Sequence, residues 1–139
     1  MGTPFGLTRC VPTSAPAAGV KRALDGDQLV LFYQPIHDLL TREVVSAEAL
    51  LRAHRGDGEI RSGVPIAAGA EKGSDLFRLD SWTIHQAYSD AARWQSHGSE
   101  RVHVNVNLSP REFETNSLTD RLRKLVTGFG IDTSTINLE

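Results

Sequence analysis

The chain has 139 residues, a net charge of −2, and 40% hydrophobic against 23% charged residues, which predicts one soluble globular domain able to bury roughly 68–70% of its unfolded surface. A charge so near neutral excludes the electrostatic footprint of a protein that grips duplex nucleic acid or an anionic membrane, but not a small phosphate ligand held by one or two placed cations. Cys10 stands alone, which excludes a disulfide framework and a thiolate zinc site.

Residues 1–17 are rich in Pro, Thr, Ser, Ala and Gly and read as a flexible N-terminal tail or linker ahead of a domain over 18–139. A short helix is predicted over about 18–25, closed by Gly26. The run "QLVLFYQPI" (28–36) is apolar on both faces, as for a strand covered on two sides. A link of a few residues through Thr41 and Arg42 leads to a second strand, 43–53. So short a link predicts antiparallel pairing, because a parallel partner needs a crossover of a dozen or more residues. In the second strand Val45, Ala47, Ala49 and Leu51 form one face, and Ser46, Glu48, Leu50 and Arg52 the other.

Gly56, Gly58 and Gly63 mark a loop, followed by a small-residue helical turn over 64–73. A long helix runs from a cap at Ser74 to about His97, with Phe77, Ile84, Tyr88, Ala91 and Trp94 on one face. "RVHVNVNLS" (101–109) alternates Val102, Val104, Val106 and Leu108 with His103, Asn105, Asn107 and Ser109. Pro110 opens a helix to about 128, and 135–139 begins a further strand with Ile136 and Leu138 set against Asn137 and Glu139. Strand–helix alternation of this kind predicts an α/β fold with a parallel sheet after the first antiparallel pair. No run approaches the ~18 apolar residues of a membrane span, and the start lacks the unbroken apolar stretch of a signal peptide. The expected location is cytoplasmic. The five histidines, at 37, 54, 85, 97 and 103, form no metal-ligand pair at helical or turn spacing.

Three strands thus repeat one arrangement, an apolar face against a polar one that carries Glu48 and Arg52, then Asn105 and Asn107, then Asn137 and Glu139. Two readings stand side by side. The polar faces are the wet side of a half-buried sheet, or they converge inside a curling barrel, where polar groups near strand carboxyl ends build active sites. Two carboxylates and an Asn carbonyl are hard oxygen ligands, suited to Mg²⁺ or Mn²⁺ rather than zinc. Glu48 fits the wet reading least, since both its chain neighbours are apolar.

Several segments occurring in order carry a resemblance. "FYQPI" (32–36), "AEALLR" (47–52), "AEKG" (70–73) with "LDSW" (79–82), "VNLS" (106–109) and "INLE" (136–139) are similar to the signature segments of the EAL family of cyclic di-GMP phosphodiesterases. The resemblance covers about residues 20–139. It implies a TIM-like barrel of which this chain is the N-terminal half, with the first two strands antiparallel and the later ones parallel. It implies metal ligands at Glu48, Asn107 and Glu139, with Glu48 also catalytic, for a site of two Mg²⁺ or Mn²⁺ ions. It implies contacts from Gln34 and Arg52 to the dinucleotide, Arg52 through its planar fork to a phosphate. The plainer alternatives are a strand-end ion pair for Arg52 and a hydrogen bond that tidies the strand end for Gln34. The activity implied is hydrolysis of cyclic di-GMP to linear pGpG by a two-metal mechanism. As to partners, cyclic di-GMP is implied, duplex nucleic acid is not, and a homodimer or an upstream sensory or cyclase module is left open.

The family's barrel is of ordinary length, roughly 200–250 residues. Its later strands carry an Asp-Asp pair, a Lys and further polar groups that have no counterpart in this sequence. The expectation is therefore a fragment or truncated product, inactive by itself. The loop after Arg52 also lacks the family's His-Pro, and Ile66 stands where an aromatic is usual. The alternative function is a catalytically degenerate module that binds cyclic di-GMP without cutting it, or a signalling interaction module that pairs through its open sheet edge.

Overall fold

The computed structural model describes residues 20–54, 58–63, 67, 73–97, 102–113, 117–129 and 133–139. The tail predicted at 1–17 and nearly all of the helical turn predicted at 64–73 lie outside them.

Helix α1 (Val20–Asp25) turns Val20 and Ala23 inward. Its end is closed by Gly26 N–H to Arg22 O and Gln28 N–H to Ala23 O, both 3.0 Å. The left-handed backbone position falls one residue past Gly26, on Asp27 (φ 47°), a residue type that tolerates it. Strands β1 (Leu29–His37) and β2 (Val44–His54) form the antiparallel hairpin expected from their short link, in register from Leu29↔Ala53 to Ile36↔Ser46. The turn is built by Asp38, whose Oδ1 accepts from Leu40 N–H and Thr41 N–H at 2.8 Å each. Those two backbone donors hold the Asp38 carboxyl below its usual pKa.

β2 is the hub of the sheet. Its first half pairs in parallel with β4 (His103–Val106), from Ser46↔His103 to Ala49↔Val106. Its second half pairs antiparallel with β3 (Ile60–Ser62). β4 continues in parallel to β5 (Ile136–Leu138). The order is β1-β2-β4-β5 with β3 beside β2. β3 falls in the region read as loop from its glycines. A three-residue strand is too short for alternation to register, and it forms because β4 ends before the second half of β2 is covered.

Helix α2 (Gly73–Ser96) lies across one face of this sheet. Ile84, Ala87, Tyr88 and Ala91 meet Leu31 of β1, Ala49 of β2, Val104 and Val106 of β4 and Ile136 of β5. Ile84, Val104 and Val106 are among the largest fully buried side chains, each worth roughly 1.5–3 kcal/mol of transfer free energy. A smaller cluster joins Val20, Ala23, Leu29 and Leu79, with Leu51 and Trp82 touching both clusters. Tyr33 and Trp94 close the β1 side edge-to-face, 4.5 Å between ring centroids. α3 (Pro110–Phe113) and α4 (Ser117–Phe129) occupy the span expected to be one helix over 110–128, with 114–116 outside the described residues.

Two expectations about burial are corrected. Phe77, placed on the buried face of α2 by its spacing, is 39% exposed, and the Arg121 guanidinium lies 4.2 Å over its ring. β1 is not covered on both sides. Leu29 and Leu31 are buried, whereas Phe32 and Ile36 on the opposite face are 44% and 41% exposed, because α2 packs on one face only. Among the described residues, no helix is long and apolar enough to cross a membrane.

Candidate functional site

The second face of the sheet gathers the polar side chains. Strand register draws one row across it, Gln34 beside Glu48, Glu48 beside Asn105, and Asn105 beside Asn137. Val104 and Val106 face α2, so the period of two turns Asn105 to the opposite face and sends Asn107 the same way. The chain past β4 stays tied to β5, through Glu139 N–H to Val106 O at 2.9 Å and Leu108 N–H to Glu139 O at 2.8 Å. That tie brings Asn107 and Glu139 alongside one another, beyond the carboxyl ends of the parallel strands.

Side-chain hydrogen bonds knit the face together. Asn107 Nδ2 donates to Glu48 Oε1 at 2.9 Å. Asn105 Nδ2 donates to Glu139 Oε1 at 3.0 Å. Asn105 Oδ1 accepts from Asn137 Nδ2 and from Ser46 Oγ, both at 3.1 Å. Behind the face, the buried Asp80 of α2 accepts from Ser109 Oγ at 2.6 Å and Ser109 N–H at 3.3 Å.

Of the residues singled out from sequence, Glu48, Asn107 and Glu139 are therefore on one face, Glu48 bonded to Asn107 and Glu139 held in a separate network with Asn105, Asn137 and Ser46. Gln34 is opposite Glu48 in register and is exposed. Arg52 sits two positions along β2 from Leu50, half-buried, with Nη1 donating to Leu51 O at 3.2 Å. Its fork meets no carboxylate among the described residues, so the strand-end ion pair is not formed there. The contributions of Ser46, Asn105 and Asn137 to this network had no signal in the sequence beyond their place on polar faces. Asp80 falls in the "LDSW" segment of the resemblance, but its pairing with Ser109 had no signal, since the two are 29 residues apart.

The donor chemistry suits a hard divalent cation. Glu48 and Glu139 are carboxylates, and Asn107 adds an amide oxygen, the ligand types Mg²⁺ and Mn²⁺ take. Asn107 uses its amide nitrogen on Glu48, which leaves its Oδ1 without a hydrogen bond among the described residues. No group of three His, Cys, Asp or Glu side chains that could hold a metal by itself occurs among those residues, so the set depends on its amide member.

Fold and site together define a class: a mixed α/β sheet, antiparallel at its start and parallel thereafter, with carboxylate and amide side chains gathered at strand carboxyl ends opposite the helix-covered face. Within that class the chain belongs to the EAL domain family, whose sequence profile matches residues 17–139. It is 31% identical over 120 residues to the cyclic di-GMP phosphodiesterase NbdA of Pseudomonas aeruginosa, covering 86% of this chain and 15% of that protein. It is 30% identical over 125 residues to the oxygen sensor protein DosP of Escherichia coli, covering 88% and 15% respectively. Among solved structures, it is similar to a PaMucR phosphodiesterase in complex with c-di-GMP, at a TM-score of 0.78 and 26% identity, over 86% of this chain and 48% of that one. It is also similar to the Xanthomonas citri FimX EAL domain in complex with c-diGMP, at a TM-score of 0.72 and 27% identity, over 86% and 46%. The chain spans only 14% to 19% of the length of the first curated relatives it matches, and less than half of these two solved chains.

Proposed function

We propose that this chain is the N-terminal half of a cyclic di-GMP phosphodiesterase domain, and that Glu48, Asn107 and Glu139 are its share of a divalent-cation site. The observation that carries this is the Asn107–Glu48 hydrogen bond, 2.9 Å long between side chains 59 residues apart. It holds two oxygen ligands together on the face that also carries Glu139. The names of NbdA and of the PaMucR complex support the substrate.

In this reading the chain's residues divide the work. Glu48 and Glu139 supply negative charge that is tolerable beside an anionic substrate only when balanced by cations. Mg²⁺ or Mn²⁺ bound there as a pair supplies an activated water and charge stabilisation at phosphorus. Arg52 offers a planar fork for a phosphate of the dinucleotide. Gln34, at the same level of the sheet as Glu48, contacts the dinucleotide beside it. The product is linear pGpG. Because the chain spans about half of a solved EAL chain, activity is proposed for the whole protein that carries these residues, not for the 139 alone.

The test is a turnover assay of the full gene product with cyclic di-GMP and Mn²⁺, beside its Glu48→Ala variant. Cleavage to pGpG that the substitution abolishes supports the reading. Absence of turnover, or a variant indistinguishable from the parent, rejects it. Calorimetric binding of cyclic di-GMP without metal and without cleavage identifies the non-hydrolytic alternative.

A further inference from the structure

Asn107 lies just past the end of β4, where the last regular ladder position is Val106. Residues 107–109 belong to no helix or strand, so their path depends on individual anchors. Two are present. One is the Leu108 N–H bond to Glu139 O on the β5 side. The other is Asp80, whose Oδ2 accepts both the hydroxyl and the backbone N–H of Ser109, at 2.6 and 3.3 Å. Asp80 is 8% exposed on α2, and Ser109 is part-buried.

A carboxylate this buried is costly unless it is satisfied. Asp80 spends one oxygen on a single residue, at the point where the chain leaves the sheet and enters α3 at Pro110. α2 is itself fixed to the sheet by Ile84, Ala87, Tyr88 and Ala91. Asp80 therefore transfers the rigidity of the helix layer to the segment that carries Asn107. Ligand groups must be held to within about 0.5 Å of a productive geometry by such supports.

We infer that Asp80 is a positioning residue for the cation site: through Ser109 it fixes the backbone at Asn107 so that the amide meets Glu48. This rests on the reading of Asn107 as a cation ligand. On the other side the backbone flanking Asn107 is tied to Glu139, through Val106 O and Leu108 N–H, and α2 adds a support from the helix layer.

The test measures Mn²⁺ binding to the full gene product by the loss of the free-ion electron paramagnetic resonance signal, with no nucleotide present, together with each variant's melting temperature. Removing outer support of this kind weakens metal binding by about 10–100-fold, and that is the loss expected of Asp80→Ala and of Ser109→Ala. Asp80→Asn keeps a carbonyl oxygen able to accept both bonds, and Ser109→Thr keeps the hydroxyl. Both are expected to bind Mn²⁺ within about threefold of the parent. A merely structural role would lower the melting temperature of the alanine variants and leave their Mn²⁺ affinity in the folded state unchanged, which overturns the inference. Ser109→Ala decides the matter if Asp80→Ala does not fold. Asn107→Ala separates the two levels. If it loses Mn²⁺ affinity while Asp80→Ala and Ser109→Ala do not, only the positioning role fails. If Asn107→Ala binds like the parent, the ligand reading fails and the inference with it.

Discussion

Asn107 stands 59 residues from Glu48 in the chain, yet its side-chain amide donates to the Glu48 carboxylate across 2.9 Å. Neither residue's immediate neighbours ask for the other. The contact follows from parallel pairing of β2 with β4, which sets Glu48 beside Asn105 and so leaves Asn107 diagonally above Glu48 on the same face. A one-residue slip would send Asn105 and Asn107 into the helix layer and Val104 and Val106 into the site.

Glu48→Gln keeps the size of the side chain and removes its charge. Turnover of cyclic di-GMP by the full gene product is expected to fall by at least about 100-fold, the upper end of what loss of mere outer support costs a metal site. The urea midpoint should hardly move, since substitutions at such partly exposed positions change stability by about 0.5 kcal/mol or less. Chromatography of pGpG and a denaturation curve check the two halves of this prediction.

Arg52→Ala should weaken binding of cyclic di-GMP by about 10- to 100-fold, because hydrogen bonds to a charged group contribute about 1.5–3 kcal/mol. Arg52→Lys should recover only part of that, since an ammonium does not reproduce the two-pronged fork. Calorimetry in the Glu48→Gln background, where substrate survives the titration, reads the difference. Equal affinity for parent and Arg52→Ala would remove Arg52 from the binding surface.

Gly63 is packed against β2 so closely that an added Cβ would lie 2.4 Å from Leu51 Cγ. Its N–H also bonds Leu51 O at 2.9 Å, so the backbone there is not free to withdraw. Leu51 touches both hydrophobic clusters. Gly63→Ala is expected to destabilise the fold by about 1–3 kcal/mol, the usual cost of overpacking, measured as a shift of the urea midpoint at constant slope.

Tyr33 carries the pH prediction. Burial, then its hydrogen bond to Asp90 at 2.7 Å, raise the phenol well above its ordinary value of 10.0. A group whose folded pKa is raised binds its proton more tightly in the native state. Its contribution is fully present below pH 10 and is lost as pH rises above that, where the unfolded chain ionises and the folded one resists. The urea midpoint should therefore decline from about pH 10 upward in the parent, and decline less steeply in Tyr33→Phe. Identical slopes would show that the phenol does not govern alkaline unfolding.

The particular elements show what was legible in the linear chain. The β1–β2 hairpin was readable because so few residues separate the strands that no crossover fits between them. The alternation over 102–108 was readable because a period of two is local, and it placed Asn105 and Asn107 opposite Val104 and Val106, as found. β3 was not readable, because three residues carry no period and their pairing depends on how far β4 extends along β2. Phe77 was misplaced because helical spacing reports the face a side chain shares, not whether a neighbouring element covers it. Phe32 and Ile36 were misplaced for a related reason. Their apolarity suggested a second covering layer, and α2 lies on the other side.

For the site the division is similar. The identities of Glu48, Asn107, Glu139, Gln34 and Arg52, and the type of ligand their oxygens and guanidinium suit, were set by the amino-acid order, because side-chain chemistry is a local property. Which of them meet was decided by tertiary structure alone. Strand register chose Asn107 for Glu48 and Asn105 for Glu139, and the packing of α2 chose Asp80 for Ser109. Hydrogen bonds need donor and acceptor within about 3 Å. Only folding brings residues dozens of positions apart to that distance.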